Sequence, residues 1–139
     1  MGEEIVSDNA EKDENKLDWV AERSDCSLPK VFKTLMEEVK EDVKIRNSLR
    51  PDLAPYEFSI EENLNKLAVH MRASDFQRSV TFCLEEHAIL VLDNGGNQLF
   101  EVTLTFTDDG KCRMNAKQQS RESWQVRRMA LEDLLFRSL

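Results

Sequence analysis

The chain of 139 residues lacks most of the short signatures that announce a chemistry. No run approaches the ~18 consecutive apolar residues of a membrane span, and no apolar stretch near Met1 resembles a secretory signal. The opening Met1-Gly2-Glu3-Glu4-Ile5-Val6 has valine where a myristoylation signal wants Ser or Thr. These absences predict a chain that meets no membrane. There are three cysteines, Cys26, Cys83 and Cys112. An odd count without an export signal predicts reduced thiols and a cytoplasmic setting. Cys26, beside the N-terminal stretch, is expected to react first, and Cys83 to be held inside a strand.

Metal binding needs several Cys, His or carboxylate groups at short spacings. With two histidines, His70 and His87, the chain has no Cys-x-x-Cys and no His-x-x-x-His pair, so neither metal nor cofactor is expected. Of its four glycines, Gly95-Gly96 is followed by no helix and no Lys-Ser or Lys-Thr, which removes a phosphate loop. Asp93 to Asn97 lacks the closing glutamate of a calcium loop and reads as a hairpin turn. Glu61/Glu62 and Glu85/Glu86 fall at turns, where solvated carboxylates do no acid–base work. A nucleophile needs a base beside it, and Cys83 with His70 or His87 is the one combination that strand alternation permits. A small cysteine/histidine enzyme is therefore the least supported reading.

Charge is present, but unevenly. The net of -8 divides into -6 over 1–26, +2 over 27–50, -8 over 51–109 and +4 over 110–139. An acidic body repels phosphates over most of its surface, so nucleic acid is not an expected partner. The basic C-terminal block is the exception. There Arg121, Arg127 and Arg128 are the candidate anion-binding residues of an alternative reading, a module that contacts RNA or another anion. The simpler account is that these arginines complement the acidic sheet or the N-terminal tail of the same molecule.

What the chain has in abundance is periodicity. Residues 1–26 read as an acidic, largely disordered tail whose aperiodic residues 1–16 are expected to be dispensable, although Leu17, Trp19 and Val20 could form a turn of helix. Residues 27–139 read as one domain. From Ser27 and Pro29, Leu28, Val31, Phe32, Leu35, Met36, Val39, Val43 and Leu49 fall within an arc of roughly 140°. One long helix ends before Pro51. Alternation then takes over around Tyr56–Ile60, Leu67–Met71, Ser79–Leu84, Ala88–Leu92, Phe100–Phe106 and Cys112–Ala116. That pattern predicts five or six mostly antiparallel strands with one wet face. Asp93-Asn94-Gly95-Gly96-Asn97 and Asp108-Asp109-Gly110 mark hairpin turns.

At Ser123 the period becomes helical again. Trp124, Leu131, Leu134, Leu135 and Leu139 make one stripe, expected to be core. Val126, Met129 and Phe136 make a second, expected to meet the first helix or another subunit. The sequence thus predicts an α+β fold with a long N-terminal helix, an antiparallel sheet and a C-terminal helix packed on it. The expected function is a small non-enzymatic interaction or regulatory domain. Its partner is an unidentified protein or a second copy, met through Val126, Met129 and Phe136.

Overall fold

The computed structural model describes residues 17–137; the expectations for residues 1–16 and Leu139 lie outside them. The fold is α+β. Helix α1 (Trp19–Asp25) leads into the long α2 (Leu28–Ser48), then seven strands follow: β1 (Tyr56–Asn63), β2 (Lys66–Ala73), β3 (Gln77–Leu84), β4 (Ile89–Leu92), β5 (Gln98–Phe106), β6 (Cys112–Ala116) and β7 (Gln119–Arg121). Helix α3 (Ser123–Glu132) closes the fold and continues into a π-helical turn over Asp133–Arg137.

The sheet order is β1-β2-β3-β4-β5-β6-β7, every pair antiparallel. Such a meander needs only short hairpins, so each strand lies beside the next in sequence. The expected hairpin between Leu84 and Ile89 is present. At the β4–β5 turn the Asp93 carboxylate accepts the backbone N–H groups of Gly95 and Asn97, both at 2.9 Å. The positive φ of 80° falls on Gly96. A register shift between Val91 and Leu92 leaves Leu99 as an extra residue on β5, a bulge that breaks the alternation there.

Strand β7 is one more than the five or six expected. Its hairpin turns on Lys117 and Gln118, with φ of 50° and 66°. Two-residue hairpin loops need such angles and usually obtain them from Asn and Gly, so no turn signal was visible.

One face of the sheet is apolar and covered. Phe58, Leu67, Val69, Met71, Val80, Phe82, Ile89, Val91, Phe100 and Val102 are buried there, with Phe82 opposite both Leu67 and Val91 in register. Helix α2 brings Phe32, Leu35, Met36, Val39 and Val43 to this core. The other face carries Ala68, His70, Ser79, Thr81 and Thr103, all partly exposed. Where α2 ends, the Asn47 side chain donates to the Phe58 carbonyl (2.8 Å) and accepts from the Phe58 N–H (3.1 Å). An amide here occupies backbone groups of edge strand β1 that another strand could otherwise pair with.

Two expectations need correction. Cys26 and Cys112 are joined as a disulfide, and only Cys83 is free, so the chain does not hold three thiols and Cys26 is not the reactive one. The bond ties the α1–α2 junction to β6 across 86 positions, a pairing that sequence spacing cannot reveal. Nearby, Gly110 has φ of 80° and a Cβ there would collide with the Leu17 side chain. Helix α1 itself buries none of its residues.

The second correction concerns the final helix. Trp124, placed in the core, is exposed, whereas Val126, on the stripe expected to meet the first helix or another subunit, is fully buried. The buried arc is formed by Val126, Ala130 and Leu134 together with Leu131 and Leu135. Ala130 joins the two apparent stripes into one face. The outward face then carries Trp124, Arg128, Glu132 and Phe136.

Candidate functional site: the groove between the two long helices

Helices α2 and α3 lie side by side, pinned by one row of α2 residues spaced four apart. Glu38 accepts a hydrogen bond from the Ser123 hydroxyl (2.5 Å). Asp42 accepts two from Arg127 Nη1, at 2.7 and 2.8 Å. Arg46 Nε donates to the Leu135 carbonyl at 2.9 Å. Because positions 38, 42 and 46 meet 123, 127 and 135 in rising order, the helices run parallel. Positions four apart share a helix face, so the spacing itself makes the seam.

Arg46 is partly buried and meets aromatic rings. Its guanidinium lies 5.8, 5.3 and 4.8 Å from the ring centroids of Tyr56, Phe58 and Phe136. A cation over aromatic faces is attracted by their quadrupoles, and a cation also suits a carbonyl of a last helical turn. Arg46 therefore fixes the π-helical turn against β1 and the end of α2.

Outside the seam is a groove of about 360 Å³. Four large apolar side chains on it remain uncovered: Ile45 (49% exposed), Leu49 (68%), Trp124 (51%) and Phe136 (60%). Single exposed apolar residues are ordinary, but several converging on one groove are not. Asp42, Arg46, Arg127, Arg128 and Glu132 border it. On the other side of the Trp124–Arg128–Glu132 row lies a second depression, lined also by Arg121, Gln125, Met129 and Asp133.

Met129 is half-buried and packs against the core rather than standing free. Phe136, of the three interaction candidates, sits on the groove. Of the three arginines, Arg127 is bonded to Asp42 and Arg128 to Glu132, with Nε 3.2 Å from Oε1. Arg121 Nε donates to the Ala116 carbonyl at 3.0 Å. The three do not converge on one point: Arg127 and Arg121 border different depressions.

The cysteine–histidine combination is not assembled. Cys83 is buried against β2 with Lys66 opposite, while His70 pairs with Ser79, four positions along β3. That offset is ~13 Å at the rise of a strand. Burial pushes the Cys83 thiol up, opposed by nearby Lys66, so it holds its proton where a nucleophile would lose it. His70 is engaged by Glu61 (2.9 Å) and Gln77 (3.0 Å). His87 stands in the β3–β4 turn, 3.7 Å from Glu86. Among the described residues no three His, Cys, Asp or Glu side chains are grouped as metal ligands, and no helix is long and apolar enough to cross a membrane.

Ile45, Leu49 and Trp124 were not foreseen as surface. Ile45 carried a legible signal, because it falls well off the apolar stripe of α2. Trp124 carried none, because its hydrophobicity placed it with the core residues of its helix. In comparisons with known proteins, the chain matches no family, no curated protein and no solved structure.

Proposed function

We propose that the chain is a small non-enzymatic protein-interaction domain whose docking surface is the groove between α2 and α3. The observation that carries this reading is the convergence of Ile45, Leu49, Trp124 and Phe136, each about half uncovered, beside a seam that is already satisfied. Aromatic residues and arginine are enriched in interface cores, and the groove supplies both. A catalytic reading lacks a paired nucleophile and base. An anion-contacting reading has weaker support, because Asp42 and Glu132 already neutralise Arg127 and Arg128. A cytoplasmic setting was expected from an odd count of free thiols, and the Cys26–Cys112 bond removes that ground for it.

The test is a photo-activatable cross-linker placed at position 49 of the full chain, with position 90 on the open sheet face as the comparison. Both chains are irradiated in native extract and as purified protein. Adducts to a polypeptide, the chain itself included, are expected from position 49 in clear excess over position 90. Equal yields from the two positions, or none from position 49, would reject the groove as a docking surface.

A further inference from the structure

The geometry points to a second copy of this chain as the occupant of the groove, an inference that rests on the docking reading above. The side chains along the outer face of α3 stand in a self-complementary order. Trp124, Arg128, Glu132 and Phe136 follow one another at intervals of four, and all four are exposed. The row therefore reads aromatic, cation, anion, aromatic, and its midpoint falls at position 130.

A row with this order is complementary to its own reverse. When two α3 helices meet head to tail about position 130, Trp124 of each faces the partner's Phe136. Arg128 of each faces the partner's Glu132. A two-fold axis makes every contact twice, as an isologous interface requires. No other register does this: a slip of four positions puts aromatics against charges or like charges together.

The relief of the surface agrees with the chemistry. The row is a ridge four residues apart, flanked by a depression on each side, one shared with α2 and the other with Arg121 and Met129. Ridges of this spacing pack into one another's grooves at a crossing of about -50°. From 124 to 132 the α-helical part of the ridge spans ~12 Å, and Phe136 continues it on the π-helical turn. The partner's Trp124 then arrives at the Phe136 end, where Ile45 and Leu49 supply the apolar walls. Each aromatic ring has ~150–250 Å² to bury. About half of that is open on Trp124 and Phe136, which places this dimer with the small, dissociable interfaces.

Charge reversal in two chains tests the register directly. In Arg128→Glu both ridge charges are negative, and in Glu132→Arg both are positive, so each variant meets like charge at every pair with its own copy. Mixed one to one, the two variants face opposite charge at every pair. Sedimentation from about 1 µM to about 1 mM should show the wild-type mass rising to that of a dimer. Each single variant should need at least tenfold more protein to reach the same weight-average mass, and the mixture should return to the wild-type curve. Thermal melting confirms that the exposed substitutions leave the fold intact. A wild-type chain that stays monomeric throughout, single variants that follow the wild-type curve, or a mixture that gains no mass would each overturn the inference. A monomeric wild type that still forms adducts from position 49 with other polypeptides would overturn the second copy and leave the docking surface standing.

Discussion

Reducing the Cys26–Cys112 disulfide should remove much of the stability of this domain. The bond closes a loop of 86 positions. In the chain-entropy treatment a cross-link of that span removes enough freedom from the unfolded chain to be worth about 4.6 kcal/mol at 25 °C. Domains have only about 5–15 kcal/mol in total, so the loss would be a large fraction. The native side adds a local effect, because α1 buries nothing of its own and depends on Cys26 and Leu17 for attachment. Urea unfolding of the full chain with and without a dithiol reductant measures the change. With a slope of about 2 kcal/mol/M the midpoint should fall by about 2.3 M. Cys112→Ala, an exposed position, should reproduce the reduced protein and respond no further to reductant. Proteolysis of the reduced, folded chain should cut first around α1. A midpoint that moves by less than about 0.5 M would show that the bond does not constrain the unfolded chain as reasoned.

Leu131, buried in the face that joins α3 to the core, should cost about 2–5 kcal/mol when replaced by alanine, readable as a lower melting temperature in any oligomeric state. Asp42→Ala leaves the partly buried Arg127 without its two charged hydrogen bonds and should cost about 1.5–3 kcal/mol in urea unfolding; an unchanged midpoint would show the seam to be ornamental. The Asp93 carboxylate is held below the ordinary carboxylate range by the N–H groups of Asn97 and Gly95. Its stabilising contribution is therefore complete above the ordinary value of 3.8 and is lost as pH falls through its lower folded value. Carboxyl NMR titration should find Asp93 below the ordinary value of 3.8, and a midpoint at or above 3.8 would contradict the turn geometry. In the oxidised native chain at neutral pH no cysteine should label quickly, Cys83 because it is buried and protonated, the other two because they are bonded.

Much of the architecture was legible because it follows from local periodicity. The stripe of α2, the alternation of the strands and the Asp93 and Asp108 turns each depend on neighbours within a few residues. The α+β class and the single wet sheet face follow from those periods alone. Strand β7 escaped because Lys117 and Gln118 adopt left-handed angles without the residues that usually announce them. The disulfide escaped because it depends on two residues 86 positions apart coming together.

The identity of the site was decided later, by which helix lies beside which. Two stripes on α3 were visible, but which of them is buried depends on where α2 and the sheet stand. Ala130 turns Val126, Leu131 and Leu134 into one covered face, and Trp124 is left outside. The basic block was visible as composition, yet its neutralisation required Asp42 to arrive opposite Arg127 from a helix 85 positions earlier. Apolar periodicity records how much surface a helix must bury. Packing chooses the direction, and with it the residues left uncovered.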